Sequence, residues 1–180
     1  MKTNLKILLV SEYFPPDVKG GGELSAELLA RNLASAGHEV HVLTSHTDAQ
    51  QSCKGLVMHR TLRAAGHTSL MGNLRRMSLF PLQVRRGVSQ LHAEQRFDVI
   101  HYLNVVSVLG SLPGVKTQVA TINSNQPFCP KANLFYKERE PCTGCNPLKF
   151  VGCLTCSDYI GKTRVPKALR LNPIFLVFPM

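Results

Sequence analysis

Four cysteines in the last third of the chain have a spacing that suits metal coordination. They form two C-x2-C pairs separated by seven residues, at Cys142, Cys145, Cys153 and Cys156. Each pair puts two sulfurs on one tight turn, and two such turns complete a tetrahedron around Zn²⁺. Because protein would fill all four positions, the pattern predicts a structural site that folds a loop lacking its own core. The same thiolates suit an iron–sulfur cluster, and reduced thiols without metal are the remaining interpretation.

A glycine-rich segment near the start of the chain favours a different chemistry. Gly20, Gly21 and Gly22 follow the short apolar run Lys6–Val10 and precede a segment of helical periodicity. A strand that opens into a glycine turn and then a helix presents unpaired backbone N–H groups and the positive end of a helix dipole. Both suit a phosphate. The consecutive glycines do not match the G-x-G-x-x-G dinucleotide fingerprint.

One of the seven histidines lies where sheets of this kind bind ligands. His101 is near the carboxyl end of the predicted strand Phe97–Leu103, and Asn104 follows directly. The carboxyl ends of parallel strands line the ligand crevice, so we expect both residues near the cleft. Three other histidines are interpreted as structural, either on a polar face or with their ring nitrogens hydrogen-bonded: His38, His41 and His59.

These residues are positioned by strands that alternate with helices. Apolar runs predict strands at Lys6–Val10, Glu39–Thr44, Gly55–Thr61, Phe97–Leu103 and Gln118–Ile122. Helical spacing predicts helices at Glu23–Ala36, at Asn73–Gln95 with an interruption at Pro81, and at Val105–Leu112. Gly37 stands where a left-handed helix cap is expected. The alternation predicts an α/β fold, an open and mainly parallel Rossmann-like sheet with helices on both faces.

The 180 residues suffice for one substantial core and divide into three predicted regions. Residues 1–126 form the Rossmann-like domain. Residues 127–158 are rich in Cys, Pro, Gly and Lys with little periodicity, which predicts a cysteine-rich loop insert. Residues 159–180 are predicted to form an irregular tail.

The formal net charge of +10 is concentrated in one part of the sequence. No Asp or Glu occurs from Ala49 to Ala93, a stretch that carries six arginines, Arg60, Arg63, Arg75, Arg76, Arg85 and Arg86. Such a surface attracts the phosphates of nucleic acid, of anionic lipid or of a substrate, and charge alone does not choose among them. The basic amphipathic segment Asn73–Gln95 suits an anionic membrane surface.

No apolar run is long enough for a membrane-spanning helix or a signal peptide, so we expect a cytoplasmic location, with a peripheral position at the inner membrane face as an option. Thiols in the cytoplasm are normally reduced, which is why paired cysteines indicate metal before disulfides.

The order of the segments resembles the opening of family 4 glycosyltransferases. The matching residues are Lys6-Ile-Leu-Leu-Val-Ser-Glu-Tyr-Phe-Pro-Pro16, Gly20-Gly-Gly-Glu23, Leu28-Leu-Ala-Arg-Asn-Leu33 and Gly37-His-Glu-Val-His-Val42. Phe97–His101 resembles the family's fourth strand, so the resemblance covers roughly residues 5–157. It implies the amino-terminal domain of a two-domain GT-B enzyme, which holds a glycan or lipid-linked acceptor. Gly21 and Gly22, next to Glu23, would face the diphosphate of a nucleotide-sugar donor bound mainly by a second domain.

The sequence departs from the pattern of the family at two points. In many relatives the fifth strand ends in a histidine, whereas here Asn123 occupies that region, and asparagine can hydrogen-bond a hydroxyl but cannot accept its proton. The donor-binding second domain has no counterpart in 180 residues, so we expect this chain to be inactive alone. A number of relatives carry a similar cysteine insert on the acceptor side, which suggests that the insert shapes the acceptor pocket.

Two other interpretations stay open at this point. A basic zinc-knuckle module that binds nucleic acid would explain the charge and the cysteines, although aromatic residues are not interleaved with the arginines and we expect nucleic acid not to be the partner. A non-catalytic gene fragment would have the same fold without the activity.

Overall fold

The computed structural model describes residues 4–48, 55–64, 70–123, 134–136, 140–144, 146 and 149. Its elements follow one another as β1 (Lys6–Val10), α1 (Gly21–Ser35), β2 (Glu39–Ser45), β3 (Leu56–Leu62), α2 (Leu70–Gln95), β4 (Val99–Tyr102), α3 (Val105–Val108), β5 (Gln118–Ala120), β6 (Phe135–Tyr136) and β7 (Glu140–Pro141). The chain divides into two compact units, one of residues 1–65 and 78–123, the other of residues 66–77 and 124–180. The first unit carries the central sheet.

β1 lies at the centre of a five-stranded parallel sheet with the strand order β3-β2-β1-β4-β5. Its residues are an almost continuous apolar run, and Ile7 to Val10 are buried because both faces of the sheet are covered. β2 pairs with one side of β1 and β4 with the other, so that Ile7 lies opposite both Val40 and Val99. The α/β class and the parallel sheet expected from the sequence are confirmed.

One face of the sheet packs against α1. The helix contributes Ala26 and Ala30 to a buried cluster with Ile7 and Leu9 of β1. Leu29 and Leu33 of the helix are partly buried against the same cluster. The small alanines let the helix lie close to the strands, and the face that helical spacing predicts is the face that is buried.

The opposite face of the sheet packs against α2. Phe80, Val84 and Val88 lie one helical turn apart and are fully buried. Gly87 brings the helix close to the sheet, since a Cβ there would lie 3.2 Å from Leu43 Cδ2. Side chains alternate along a strand, so Leu43 points away from the α1 cluster, and the two helices therefore cover opposite faces.

α1 ends as the sequence predicts, at a glycine in the left-handed region. Gly37 has φ +88°, and its N–H donates to the carbonyl of Ala34 over 3.0 Å. The N–H of His38 donates to the carbonyl of Leu33 over 3.1 Å. These two bonds form a Schellman motif and turn the chain into β2.

α2 is continuous, which corrects the predicted interruption at Pro81. The helix runs from Leu70 to Gln95 with the proline inside it. An internal proline removes one hydrogen bond and destabilises a helix by about 3 kcal/mol. Phe80 and Val84 beside it are fully buried, so packing against the sheet outweighs the local loss. The boundary between the two compact units falls between residues 77 and 78, in the turn before Pro81.

Three elements of the first unit, α3, β4 and β5, are shorter than predicted. α3 ends at Val108, and Gly110 just beyond it approaches α2 so closely that a Cβ there would lie 2.6 Å from the carbonyl oxygen of Pro81. β4 begins only at Val99, since the Asp98 side chain, instead of a strand neighbour, accepts the Lys6 N–H over 2.8 Å. β5 is likewise cut to three residues.

The second unit contains a short antiparallel pair of strands, β6 and β7, in which Phe135 lies opposite Pro141 and Tyr136 opposite Glu140. Lys149 Nζ lies 6.0 Å from the centre of the Tyr136 ring and donates to Thr143 Oγ1 over 3.2 Å. Most of the predicted cysteine-rich insert and the whole predicted tail lie outside the described residues. The predicted region boundaries at residues 126 and 158 stay predictions.

Candidate functional site

The strand order creates a crevice at one edge of the sheet. The chain passes from β1 to β2 to β3 on one side and returns to β4 on the other, so the connections leave β1 and β4 in opposite directions. In open parallel sheets, ligands bind outside the carboxyl ends of the strands at such a switch point. Here that edge carries Ser11 and Glu12 after β1 and Leu103 and Asn104 after β4. The carboxyl edge between β1 and β4 is therefore the candidate site.

The start of α1 is the most open part of this edge. Gly20 precedes the helix and has no side chain to cap it, while the first N–H groups of any α-helix lack partners within the helix. A Cβ added at Gly21 or Gly22 would meet nothing within 4 Å. Neither glycine has a positive φ among the described residues, so neither packing nor backbone conformation requires glycine there.

Glu23 is the one acidic residue in the first turn of α1. Its Oε2 accepts the N–H of Gly20 over 2.8 Å, and a carboxylate at this end of a helix is favoured by the helix dipole. The Glu23 carboxylate is thus itself an anion bound at the helix start. A bound phosphate would meet this negative charge, so Glu23 suits a hydroxyl group better than a phosphate.

Asn104 begins α3, directly after β4. Its Oδ1 accepts the N–H of Ser107 over 2.9 Å, which is a side-chain cap of the kind that asparagine often makes. The side-chain nitrogen of Asn104 makes no hydrogen bond to the described part of the chain and remains available as a donor. The sequence places this residue at the cleft, and the structure adds its role in starting α3.

His101 lies in β4, two residues before the strand gives way to the edge. Its Nε2 is 2.7 Å from Thr121 Oγ1, just beyond β5. Burial lowers the pKa of the imidazole below its ordinary value of 6.5, which favours the neutral ring. Asn123 lies two residues after Thr121 and is exposed. His101 and Asn123 both lie towards the carboxyl edge, and no hydrogen bond joins them to the start of α1.

Gln118 fixes the loop that leads into β5. Its Oε1 accepts the hydroxyl of Tyr102 over 2.9 Å and the N–H of Leu112 over 3.0 Å. Its Nε2 donates to the carbonyls of Leu112 and Val115. Burial raises the pKa of Tyr102 to about 12, so the phenol stays protonated and keeps donating. This network positions Thr121, and hence His101, without taking part in the crevice itself.

Two residues at this edge are not predicted as site residues by the sequence patterns. Glu12 is 2% exposed, and its carbonyl accepts the N–H of Ser45 over 3.2 Å, which ties the end of β1 to the end of β2. Arg60 donates from Nη2 to the carbonyl of Pro15 over 2.5 Å and so braces the loop before α1. The only sequence signal for Glu12 is an acidic residue two positions after a buried strand, which is too common to identify a site.

The histidines interpreted as structural have hydrogen-bonded rings, as expected. His38 Nδ1 accepts the N–H of Leu5 over 3.2 Å. His41 is buried, with Nδ1 2.9 Å from His59 Nε2 and Nε2 3.0 Å from Glu39 Oε1. The hydrogen bond from His41 lowers the pKa of Glu39, while burial and the nearby His41 lower that of His59. All three histidines belong to the fold and not to the crevice.

The predicted zinc site falls mostly outside the described residues. Cys142 follows β7 and donates from Sγ to the carbonyl of Gly144 over 3.2 Å. Cys145, Cys153 and Cys156 are not described. Within the described ranges no three His, Cys, Asp or Glu side chains come together as a metal site would require. The metal site therefore stays a prediction.

Among the stretches that the structure describes, every helix falls short of the length and apolar character needed to cross a bilayer. The cytoplasmic location stays a prediction.

Comparison with known proteins bears on the same part of the chain. Residues 19–139 match the model of the family described as Glycosyltransferase Family 4, a span that covers more than half of the 180 residues. The match begins at the glycine segment before α1 and includes β2 to β5. No curated protein matches the chain.

Proposed function

This chain belongs to glycosyltransferase family 4, and on that premise we propose that it forms the acceptor-side domain of a GT-B enzyme that transfers a sugar from a nucleotide-sugar donor. The acceptor is a glycan or a lipid-linked sugar, held at the carboxyl edge of the sheet. The donor's nucleotide binds mainly to a second Rossmann-like domain that faces this edge, and without that domain the chain transfers nothing. Transfer needs both walls of the cleft because preorganised groups must surround the reacting centre.

The open start of α1 is the observation that supports this proposal most. Three consecutive glycines in a helix start carry an entropic penalty, yet Gly21 and Gly22 meet no packing requirement that explains them. Removing Cβ atoms from a helix start lets a ligand approach the backbone N–H groups directly. Those groups and the helix dipole favour a diphosphate, which is the leaving group of a nucleotide sugar.

The other residues at the edge are assigned to the acceptor. The side-chain nitrogen of Asn104 and the carboxylate of Glu23 hydrogen-bond hydroxyls of the acceptor. Within the described part of the chain, the Glu23 carboxylate accepts only the N–H of Gly20, which leaves the N–H groups of Gly21 and Gly22 for the diphosphate. A neutral His101 is able to accept a proton, and its burial favours that state. Asn123 orients a hydroxyl without accepting its proton. In the reaction the acceptor oxygen bonds to the anomeric carbon, the bond to the diphosphate breaks, and the hydroxyl proton leaves to a base.

The cysteine pairs are proposed to bind Zn²⁺ and to shape the acceptor side of the site. Four thiolates in two C-x2-C turns form a donor set that suits zinc, and a closed four-ligand site is structural. When bound, the metal would stabilise the loop and supply no step of the transfer.

The experiment that tests the phosphate assignment uses the fact that alanine fits at both glycines. The 180-residue chain is titrated with UDP and with GDP while backbone amide shifts are followed by NMR. We expect the amides of Gly21 and Gly22 to shift, with a Kd of about 1 mM or weaker because these 180 residues are proposed to supply only one wall of the cleft. The variant G21A/G22A should weaken binding by about tenfold and keep the fold.

The matched control is S35A, which adds no atom and lies at the other end of the same helix, where the side chain is exposed. It should bind nucleotide as the unaltered chain does. Shifts that map to another part of the protein, or unchanged binding by G21A/G22A, would remove the role of the glycine segment.

A further inference from the structure

α2 carries a face that the proposed transfer reaction does not use. Leu79 and Leu82 are 51% and 49% exposed, although leucine side chains are usually buried. Arg85 and Arg86 follow one turn later and are exposed as well. Residues three, four and seven apart share one side of a helix, so the leucines and arginines form one surface. With Arg63 they are called here the arginine–leucine face.

The rest of the helix shows that this exposure is a property of one face. Phe80, Val84 and Val88 are fully buried on the opposite side, so α2 is properly seated on the sheet. Arg63 is exposed, and its backbone N–H donates to Gln83 Oε1 over 3.0 Å, so the residue lies beside the helix. None of the three arginines of the face forms an ion pair with the residues that the structure describes.

The charged residues near the leucines in the sequence have a single sign. From Ala49 to Ala93 there is no acidic residue, so Glu94 is the first carboxylate that α2 reaches. Apolar side chains that project from a basic helix face fit the boundary of an anionic bilayer, where leucine enters the acyl region and arginine binds lipid phosphates. Nucleic acid would use the arginines but gain little from exposed leucine.

α1 offers a contrast within the same unit. Leu24 and Leu28 are 53% and 63% exposed, so the apolar exposure is at least as large as on α2. Their neighbours are of mixed charge, since Glu27 forms an ion pair with Arg31 over 2.6 Å and Glu23 lies in the first turn. Apolar area is therefore matched between the helices, and only the surrounding charge differs.

The direction of α2 relates this face to the candidate site. Gln83 of α2 contacts Arg63 just after β3. Gln95, at the end of α2, accepts a hydrogen bond from Lys6 at the start of β1. α2 thus runs antiparallel to the strands. Leu79 and Leu82 consequently lie towards the carboxyl edge, where the crevice opens.

We propose that the arginine–leucine face docks on the surface of an anionic lipid bilayer. The footprint consists of Arg63, Leu79, Leu82, Arg85 and Arg86. Docking leaves the crevice beside the lipid surface, so that an acceptor anchored in lipid is met without leaving the bilayer. The inference depends on the exposed face and its charge, not on sugar transfer, and it is measured without donor or acceptor.

The test is sedimentation of the 180-residue chain with vesicles of phosphatidylcholine alone or with phosphatidylglycerol added. We expect binding to the anionic vesicles only, and release at high salt, because the Debye length falls from about 10 Å at 0.1 M to about 3 Å at 1 M. R85Q/R86Q should weaken binding roughly 25-fold, at roughly fivefold per arginine near the surface. L79S/L82S should weaken it roughly tenfold through lost apolar insertion.

The matched control is L24S/L28S, which removes the same two side chains from α1 and should leave vesicle binding unchanged. Thermal melting of each variant shows whether the fold is retained, which is expected because all these side chains are exposed. Equal binding to neutral vesicles, equal loss in L24S/L28S, or no loss in L79S/L82S would each overturn the proposal. A preference for single-stranded oligonucleotides over anionic vesicles would overturn it in favour of nucleic acid.

Discussion

Two helix starts flank the switch point of the sheet, and they are built in opposite ways. α1 begins after β1 with Gly20, Gly21 and Gly22, and at the last two an added Cβ would touch nothing within 4 Å. α3 begins after β4 with Asn104, whose side chain caps the helix, and ends near Gly110, which is pressed against α2. The start of α1 leaves backbone N–H groups exposed. At α3, the Asn104 side chain accepts a backbone N–H, and neighbouring protein atoms pack closely around Gly110.

The difference shows how a glycine can have opposite meanings in one molecule. At Gly110 the missing side chain lets two parts of the protein approach closely. At Gly21 the missing side chain leaves room that the protein itself does not fill. Only the second kind of glycine leaves room for a ligand, and this is why we propose the phosphate site at the start of α1. Substitutions at the two starts should have effects of different size and sign.

The largest effect is expected for G110A. The added Cβ would lie 2.6 Å from the carbonyl oxygen of Pro81 and 2.7 Å from Val84 Cβ, and a helix backbone cannot yield easily. Overpacking of this kind should lower the free energy of unfolding by about 3 kcal/mol, measured by urea denaturation. A variant as stable as the original chain would show that α3 and α2 are not tightly packed.

A smaller effect is expected when the cap of α3 is removed. N104A loses the acceptor for the Ser107 N–H and should lower the free energy of unfolding by about 1 kcal/mol. N104D keeps an acceptor oxygen and should remain close to the original stability. The two variants separate the cap from the ligand role, since both lose the side-chain nitrogen proposed to bind the acceptor. Equal stability of N104A and N104D would mean that the cap contributes nothing.

The partly buried His101 of β4 should make the free energy of unfolding depend on pH. Burial places the pKa of His101 in the folded state below 6.5, so the unfolded chain binds more protons as the pH falls through that value. The stability that the neutral His101 contributes is present above pH 6.5 and is lost as the pH falls towards the folded-state pKa. For one proton, the free energy of unfolding changes by at most about 1.4 kcal/mol per pH unit. Unfolding curves between pH 7.5 and 5.5, about the ordinary pKa of histidine, measure it.

His59 has a pKa lowered in the same sense and contributes to the same slope. H101Q should therefore reduce the slope without abolishing it, and an NMR titration of the ring protons assigns each share. A slope unchanged in H101Q would contradict the burial of this imidazole.

The smallest effect, and the one of opposite sign, is expected for the stability of G21A. Alanine fits without contact and restricts the unfolded chain, so the free energy of unfolding should rise by about 0.5 kcal/mol. Thermal melting measures the shift. Loss of stability in G21A would mean that the glycine is required by the fold, and the contrast with Gly110 would disappear.

Much of the fold can be predicted from the sequence because local patterns and tertiary packing agree. β1 has the predicted bounds of Lys6–Val10, since a buried central strand is apolar throughout. The end of α1 is predicted because Gly37, just after the helix, tolerates the positive φ that this position requires. The prediction fails at Pro81, where local propensity opposes the helix and burial of the neighbouring side chains decides. It also fails at the end of α3, beyond which Gly110 contacts a helix that is distant in the sequence.

The candidate site is less accessible to sequence reasoning. The glycine segment and the position of His101 follow from strand order, because carboxyl ends of parallel strands share an edge. The side-chain contacts of the site residues cannot be predicted in this way. Nothing in the sequence pairs His101 with Thr121 or shows that Glu12 is buried. The contact of His101 joins two residues that lie 20 positions apart in the chain, and the burial of Glu12 depends on packing around the end of β1.

The central position of β1 has a consequence for how the protein forms. Val99 of β4, which completes one side of β1, lies 92 residues after its partner Ile7. At a synthesis rate of about 5–20 residues per second, the first strand waits on the order of 5–20 s on the ribosome with one side unpaired. Such non-local pairing also slows folding from the denatured state. The crevice that β1 and β4 create is therefore among the last features of the domain to form.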